Sequence, residues 1–339
     1  MHHDWKSASI LAATLLAALW GLAAPARAEY TLRLEWVLQG QFAGPIVALE
    51  RGYYQEAGVE LELLPAGPDL KPVVTVAQGV DDFGIGHPNQ LITARANGVP
   101  LVMVMQFGQK SATTYIARAD SGITRVEDMP GHSVGLWFGG DEHEFLAMLN
   151  AAGVDQDQVQ IVSQGYDIVG WLKGDYEVMQ VTLYNELQQV YEQGFGAENL
   201  VFLEPADYGV ALVSGGVFTT EAMIADNPEV VQAVVDATLR GWQSALADPE
   251  AAAEIVVQYN TELAVADQVK QIRAMGALIC AGPTLEGQFG LSVMADWETS
   301  QQVMLEAGLI DSGIELGEGF TNRFWENAPA GYKTVACEQ

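Results

Sequence analysis

Short apolar runs alternate with segments of helical periodicity along most of the chain. The run TLRLEWVL predicts a strand, and IVALERGYYQEAG follows it with apolar residues at helical spacing and Gly58 as a helix stop. The alternation continues through VELELLP, PVVTVAQG, DDFGIG, NQLITARANG and PLVMVMQF. This order of strands and helices predicts a mostly parallel sheet with helices on both of its faces.

A second α/β unit begins near Tyr115, with strands predicted at YIARAD, SVGLWF, VQIVSQ, YEVMQVTL and LVFLEP. The segment ALVSGGVFTT predicts a return strand, and the chain after it is helical. Two segments can carry the chain between the units, one after PLVMVMQF and one at ALVSGGVFTT. We therefore predict an α/β protein with two doubly wound sheets, a two-strand hinge and a helical C-terminal segment. The predicted bounds are 29–112 for the first part of lobe 1, 113–212 for lobe 2, and 213–339 for the return to lobe 1 and the C-terminal helices.

The N-terminus has the pattern of a secretory signal peptide. Lys6 lies in a short polar head, the apolar core ILAATLLAALWGLAA follows, and Ala26-Arg27-Ala28 forms a small-x-small cleavage site. The apolar stretch is shorter than the roughly 20 residues that span a bilayer. We therefore predict that residues 1–28 are removed after Ala28 and that the mature protein is exported.

Charge and cysteine content narrow the class of protein further. The formal net charge of the chain is −29, which disfavours binding to nucleic acid or to anionic lipid. The chain has 2 cysteines, and in an oxidising compartment a pair is more often bridged than free. We therefore favour a disulfide between Cys280 and Cys337 over two unrelated thiols.

The sequence contains no convincing catalytic or cofactor motif. GHSVG matches the G-x-S-x-G sequence of a nucleophile elbow, but Ser133 begins a strand rather than lying on a strand-to-helix turn. The chain after it also lacks the acid and later histidine of a catalytic triad in that order. GIGHPN lacks the third glycine of a dinucleotide loop. The consecutive residues Asp141 to Glu144 point about 100° apart on a helix and cannot converge on one ion. We expect no catalytic residue, no metal and no cofactor.

Ligands of open α/β sheets lie beyond the carboxyl ends of the strands, so the residues at those positions are the candidate binding residues. They share an aromatic, amide or acidic character, and none of the strand-end positions selected is Lys or Arg. The predicted ligand-binding set is Trp36, Gln39, Phe42, Asn89, Gln106, Phe107, Trp137, Phe138, Gly139, Tyr184, Asn185 and Glu186.

Aromatic faces stack on planar rings, and amides with a carboxylate recognise donors and acceptors at a ring edge. The pattern therefore predicts a flat ligand that is neutral or cationic. Neighbouring strand residues point to opposite faces, so we expect either Trp137 or Phe138 to line the site and the other ring to pack in the core. Among the acidic residues, Glu186 is the one that we most expect to bind the ligand. The alternative is that it complements the dipole of a helix that begins there.

Several of these segments resemble a known family. FAGPIVALERGYYQEAGVELEL, DDFGIGHPNQLITARANGVPLV, VGLWFGGDEHEF and VTLYNELQQVYEQG are similar to the periplasmic binding proteins of the thiamine-pyrimidine-precursor and alkanesulfonate group, in particular the subgroup that binds hydroxymethylpyrimidine. The resemblance runs from about Leu34 to Phe218. It implies a bilobed periplasmic binding protein fold of type II and the family's strand-end site at Trp36, Trp137, Tyr184, Asn185 and Glu186.

The resemblance also implies a function and its alternatives. The expected protein is the periplasmic solute-binding component of an ABC importer. It would close on a pyrimidine thiamine precursor, pass it to a permease with its ATPase, and act as a monomer. Riboflavin or a sulfonate are alternative ligands on this scaffold. Fungal members of the wider family are pyrimidine synthases with a cysteine-rich iron motif, which this chain lacks.

Overall fold

The computed structural model describes residues 30–337, in which ten strands form two separate sheets. The predicted signal peptide, residues 1–28, lies outside the described residues. Each sheet has five strands. The strands are β1 (Tyr30–Arg33), β2 (Leu61–Leu64), β3 (Phe83–Gly86), β4 (Leu101–Gln106), β5 (Thr113–Arg118), β6 (Ser133–Leu136), β7 (Gln160–Ser163), β8 (Val178–Thr182), β9 (Leu200–Leu203) and β10 (Gly216–Thr220).

The described α-helices follow most strands and make up nearly all of the C-terminal third. They are α1 (Ala43–Glu50), α2 (Tyr53–Glu56), α3 (Pro72–Ala77), α4 (Pro88–Ala96), α5 (His143–Ala151), α6 (Val169–Lys173), α7 (Glu186–Glu192), α8 (Glu221–Asp226), α9 (Pro228–Ala247), α10 (Pro249–Tyr259), α11 (Val265–Ile279), α12 (Met294–Glu306), α13 (Leu316–Gly319) and α14 (Arg323–Asn327).

The two sheets have the same mixed topology. The first has the order β2-β1-β3-β10-β4, and the second has the order β7-β6-β8-β5-β9. One strand in each sheet runs against its neighbours: β10 is antiparallel to β3 and β4, and β5 is antiparallel to β8 and β9. The predicted α/β class with two sheets is confirmed. We call the first sheet with its helices lobe 1 and the second sheet with its helices lobe 2.

The chain passes between the sheets twice, after β4 and again between β9 and β10. The first crossing is residues 107–112 and the second lies within residues 204–215. The two crossings join the lobes side by side. The carboxyl ends of the parallel strands of both lobes face a shared cleft. The residue bounds predicted for the lobes stay a prediction.

The core of lobe 1 depends on a close crossing of α1 and α9. A side chain at Gly241 would place its Cβ 2.0 Å from the carbonyl oxygen of Gly44, and one at Gly44 would overlap Trp242. Glycine at both positions lets the two helix backbones approach, which buries Trp242 completely. The approach holds the long apolar face of α9 against the sheet.

The C-terminal segment contacts both lobes. Helix α12 packs against α4 of lobe 1 and α5 of lobe 2. The predicted disulfide is present: Cys280, after α11, is bonded to Cys337 in the C-terminal tail. None of the described helices is both long and apolar enough to cross a membrane.

Candidate functional site

The cleft between the lobes holds about 710 Å³ of free space, including the solvent at its mouth. It lies beyond the carboxyl ends of β1 and β3 on one side and of β6 and β8 on the other. This is where parallel α/β sheets bind ligands, because the loops there converge and the backbone ends expose polar groups. The lining residues are Glu35, Trp36, Gln41, Lys71, Pro72, Val73, His87, Gln90, Ala112, Thr113, Trp137, Gly139, Asp141, Gln180, Thr182, Tyr184 and Glu186.

Indole rings from both lobes meet in the cleft. The ring centroids of Trp36 and Trp137 lie 5.6 Å apart with an interplanar angle of 68°. The Trp137 indole N–H donates to the carbonyl of Gly165 at 2.9 Å, and its backbone N–H donates to Oε1 of Gln180 at 2.9 Å. Hydrogen bonds at the backbone nitrogen and at the indole nitrogen therefore fix the position of Trp137. The ring centroids of Tyr166 and Trp36 lie 4.8 Å apart, so Tyr166 adds a third ring to this aromatic group.

A buried carboxylate forms the floor of the lobe 2 side. Glu186 is 2 % exposed, and it accepts hydrogen bonds from the backbone N–H and the hydroxyl of Thr182 at 3.0 and 2.6 Å and from the amide of Asn185 at 2.5 Å. Burial raises the pKa of Glu186 although these hydrogen bonds lower it. Burial, with Glu186 nearby, raises the pKa of the Tyr184 hydroxyl well above its ordinary value. Tyr184 is therefore a neutral hydroxyl beside an acid.

The cleft also contains two basic side chains, each facing an acid. Nζ of Lys71 lies 3.4 Å from Oδ2 of Asp141, and Nε2 of His87 lies 3.2 Å from Oε1 of Glu35. Burial and the Gly215 N–H that donates to Nδ1 oppose protonation of the His87 ring, whereas Glu35 first, and then Asp141, raise its pKa. Lys71 and His87 each face another carboxylate of the lining, and among the described residues no Lys, Arg or His forms an ion pair with Glu186.

Glu35, His87 and Asp141 are close enough together to suggest a metal site within the described residues. The hydrogen bonding of His87 argues against metal binding. Nδ1 of His87 accepts the backbone N–H of Gly215 at 2.9 Å, so its lone pair is occupied and the ring proton is on Nε2. Because Nε2 then points an N–H at Glu35, it has no lone pair for a metal. The three residues fit a hydrogen-bonding edge better than an ion site.

A buried contact closes the cleft on the side of α4 and α5. The amide nitrogen of Asn89 donates to the carbonyl of Gly140 at 2.8 Å and lies 3.0 Å from Nδ1 of His143. Burial lowers the pKa of His143, which keeps Nδ1 free to accept. Gly140 has φ 114°, and a Cβ there would lie 2.5 Å from Cγ of Gln90. We call Asn89, Gly140 and His143 the interlobe clasp.

Five of the twelve predicted binding residues line the cleft: Trp36, Trp137, Gly139, Tyr184 and Glu186. The other predicted residues lie elsewhere, for reasons that differ. Asn89 is in the interlobe clasp, and Asn185 supports Glu186 from behind. Phe138 is 44 % exposed and does not line the cleft, so the expectation that the second ring packs in the core is wrong.

The remaining four predicted residues belong to the interior of lobe 1. Phe42 and Phe107 are 2 % and 3 % exposed in the hydrophobic core. The Gln39 amide donates to the Gln41 side chain. The Gln106 amide donates to backbone carbonyls of the two crossings, including that of Gly108 at 3.0 Å. Phe42 and Phe107 line a smaller space next to the cleft rather than the cleft itself.

The cleft also contains residues that were not in the predicted set. Gln41 and His87 follow strand ends but are not in the predicted ligand-binding set. Gln180 and Thr182 lie within β8, where sequence periodicity predicts sheet core. Lys71 precedes α3 and corrects the expectation of a site without basic residues. The remaining residues outside the set are Glu35, Pro72, Val73, Gln90, Ala112, Thr113 and Asp141.

The comparison with protein families agrees with this architecture. Residues 39–252 match the model of the NMT1/THI5-like family, which is more than half of the chain. The chain belongs to the NMT1/THI5-like family. This confirms the resemblance found in the sequence, and the family match covers both crossings and all the strand ends that line the cleft except that of β1.

Curated relatives in this family have differing names. The riboflavin-binding protein RibY of Chloroflexus aurantiacus is 28 % identical over 89 % of this chain and 87 % of the relative. A protein of Legionella pneumophila named 4-amino-5-hydroxymethyl-2-methylpyrimidine phosphate synthase is 27 % identical over 92 % of this chain and 97 % of the relative. The formylaminopyrimidine-binding protein of Halalkalibacterium halodurans is 23 % identical over 78 % and 81 %.

Solved structures share the fold at lower identity. A protein of Bordetella bronchiseptica matches with a TM-score of 0.71 and 14 % identity, covering 90 % of this chain and 98 % of that one. The periplasmic aliphatic sulphonate-binding protein SsuA of Escherichia coli matches with a TM-score of 0.60 and 15 % identity, covering 85 % and 90 %. These likenesses show the periplasmic binding protein fold.

Proposed function

We propose that this protein is the solute-binding component of an ABC importer and that it captures a small planar heterocycle in the interlobe cleft. The observation that carries the proposal is the pair of indoles, Trp36 from lobe 1 and Trp137 from lobe 2, facing one cleft. A flat ring that packs against both indoles contacts both lobes, so its binding favours the closed arrangement.

The polar lining supports the choice of a neutral or cationic ring. Glu186 is a buried acceptor without a cation, and the amides of Gln41, Gln90 and Gln180 surround the ring walls. An aminopyrimidine offers N–H donors at its edge, and pairing them with Glu186 would offset the cost of its burial. We therefore favour a pyrimidine thiamine precursor, hydroxymethylpyrimidine or its formylamino relative.

Riboflavin is the second candidate ligand, because two indoles suit a larger ring system and RibY is among the relatives. A sulfonate is disfavoured, since Lys71 and His87 already face Asp141 and Glu35, and the third carboxylate of the lining, Glu186, would repel it. The same lining disfavours a phosphate ester.

We further propose that the protein is not an enzyme, although one relative is named as a synthase. Both cysteines of the chain are joined in the disulfide and are not available to a metal or a substrate. Within the described cleft, the groups contributed by side chains are hydrogen-bonding and stacking groups. The proposed location is the periplasm, after removal of residues 1–28, with a permease and its ATPase as partners.

The test is direct ligand binding by the mature protein. Hydroxymethylpyrimidine, formylaminopyrimidine, riboflavin and taurine are titrated separately by calorimetry, and any ligand carried through purification is identified by mass spectrometry. We expect saturable binding of a pyrimidine or of riboflavin and none of taurine. Binding of taurine alone, or turnover of a bound pyrimidine to a new product, would overturn the proposal.

A further inference from the structure

A polar side chamber continues the cleft toward the crossings between the lobes. It holds about 300 Å³ of free space, and the two spaces share His87, Ala112, Thr113 and Asp141 in their linings. A group packed against the indoles can therefore extend into the chamber without leaving the protein. Beyond the shared residues, the chamber is lined chiefly by Asn89, Ser111, Gly140, Glu144, Leu212 and Ser214.

The chamber differs from the cleft in its chemistry. The cleft is lined by three aromatic rings, those of Trp36, Trp137 and Tyr184, whereas the described lining of the chamber contains none of Trp, Tyr or Phe. In their place are hydroxyl groups, an amide and two carboxylates. An apolar or aromatic extension would leave these polar groups without partners, so the chamber suits a chain of hydroxyl or amino groups.

Glu144 is the acceptor around which the chamber is built. Its side chain is buried, and it accepts the backbone N–H of Leu212 at 2.7 Å and the hydroxyl of Ser111 at 3.1 Å. These partners come from the two crossings and fix the orientation of the carboxyl group. A carboxylate accepts about four hydrogen bonds, so Glu144 has capacity left for donors on a ligand.

The charge of the chamber limits what the extension can be. Asp141 and Glu144 are in its lining, and no Lys or Arg is among the described lining residues. A phosphate at the end of the extension would be repelled by both acids, and His87, the basic side chain of the described lining, already faces Glu35. A neutral hydroxyl or a cationic amine would not be repelled.

We propose that this chamber is a subsite for a short hydroxylated arm attached to the ring that the cleft binds. The arm is a hydroxymethyl group on a pyrimidine or a polyol chain on a flavin, and Glu144, held in place by Ser111, accepts hydrogen bonds from its hydroxyl groups. This inference rests on the proposed function, because it requires a ring packed against Trp36 and Trp137.

The test combines ligand changes with protein changes. Riboflavin is compared with lumichrome, which has the flavin ring without the polyol, and 4-amino-5-hydroxymethyl-2-methylpyrimidine is compared with 4-amino-2,5-dimethylpyrimidine. For the ring that binds, we expect the form with the arm to bind at least about tenfold more tightly to the wild type. At pH 8, where Glu144 is ionised, this ratio is expected to fall toward one in Glu144→Gln, because the arm loses its carboxylate acceptor.

The design separates the arm from effects on lobe closure. A change in closure alters the affinity for both forms of a ligand equally, so it leaves their ratio unchanged. Glu142→Gln is the matched control, because Glu142 lies two residues away and lines neither space. Ser111→Ala is the second variant if Glu144→Gln fails to fold, and it should also lower the ratio.

The outcomes distinguish the two proposals. If neither ring system binds the wild type, the proposed function fails and the subsite fails with it. If a ring binds but its two forms bind equally, or if Glu144→Gln leaves the ratio unchanged, the subsite is overturned while ring binding stands. Riboflavin 5′-phosphate binding as tightly as riboflavin would also overturn it.

Discussion

At the scale of single residues, the strand end at Trp137 and Phe138 shows how local backbone geometry separates two neighbouring rings. Trp137 is 7 % exposed and lines the cleft, whereas Phe138 is 44 % exposed and lies outside it. Both rings follow β6, and alternation along an extended chain turns them to opposite sides. The pair therefore offers a test of stacking with its own internal control.

Trp137→Ala should weaken ligand binding at least tenfold, because a stacking wall contributes roughly 1–3 kcal/mol. The dissociation constant is measured by calorimetry with the ligand identified by screening. Phe138→Ala removes an equally apolar ring from the adjacent position and should leave the dissociation constant unchanged. An unaltered affinity in Trp137→Ala would remove that indole from the binding site.

The buried carboxyl group of Glu144 should make the free energy of unfolding depend on pH. Burial raises the pKa of this carboxyl group to about 7, although hydrogen bonds from Leu212 and Ser111 and the nearby His87 lower it. Because the pKa in the folded protein lies above the ordinary value of 4.5, the folded state favours the protonated acid. That contribution is complete below about pH 4.5 and is lost as the pH rises through 7.

The free energy of unfolding of the wild type should therefore fall relative to that of Glu144→Gln between pH 5 and pH 8. The difference should be at most about 3 kcal/mol, since one unit of pKa shift corresponds to about 1.4 kcal/mol. Urea denaturation at both pH values measures it, and the comparison of the two proteins removes the contributions of titrating groups that do not interact with Glu144. Equal pH dependence in both proteins would contradict the prediction.

At the scale of elements, the first turn of α5 holds the lobes together at two places. His143 takes part in the interlobe clasp with Asn89 on α4, and the next residue, Glu144, bonds both crossings. Asn89 and His143 are buried, and neither side chain lines the main cleft. Asn89 and Gly140 also line the side chamber, so the contribution of the clasp through lobe closure is isolated with a ligand that lacks the arm.

Asn89→Ala should lower ligand affinity about fivefold to tenfold, because a net hydrogen bond contributes about 0.5–1.5 kcal/mol and the clasp forms only between closed lobes. Small-angle X-ray scattering without ligand should show a larger radius of gyration in the variant. Asn97→Ala, at the other end of α4, is the control, since Asn97 bonds only within its own helix. A scattering curve identical to that of the wild type would show that the clasp does not hold the lobes.

The predicted elements agree best with the structure where they are long and periodic. The helical segments NPEVVQAVVDATLRGWQSALAD and ADQVKQIRAMGALIC correspond to α9 and α11, and the strands of both units are present. Periodicity works there because one face must be buried along the whole element. It is less informative at β8, where Gln180 and Thr182 line the cleft from inside a strand that also packs in the core.

At the scale of the whole molecule, the disulfide connects distant parts of the C-terminal region. Cys280 and Cys337 are 57 residues apart, and between them α12 packs on both lobes. A cross-link of this kind reduces the conformational freedom of the unfolded chain. It therefore helps to keep α12, which contacts both lobes, in place.

Replacing both cysteines by serine should lower the free energy of unfolding by about 2–5 kcal/mol. Thermal unfolding of the variant and of the wild type, each with and without reductant, measures the loss. Reductant should lower the melting temperature of the wild type toward that of the variant and leave the variant unaffected. A wild-type protein with two titratable thiols before reduction would contradict the pairing.

The sequence by itself determined the class of fold, the order of elements, the family and the location of the site at the carboxyl ends of the strands. These follow from periodic burial and from motifs, which are properties of short segments. It also identified Trp36, Trp137, Tyr184 and Glu186, because aromatic and acidic residues at strand ends are conspicuous.

Only the tertiary structure decided which of the other candidates face the cleft. Phe42 and Phe107 follow strand ends as Trp36 does, yet they are buried in the core, and Lys71 and Asp141 meet only because two lobes approach. The side chamber is likewise bounded by residues from both lobes and from the crossings between them. The direction of a side chain after a strand depends on the dihedral angles of the following loop, and a contact between lobes depends on how two units dock. Neither quantity is encoded in a local pattern of residues.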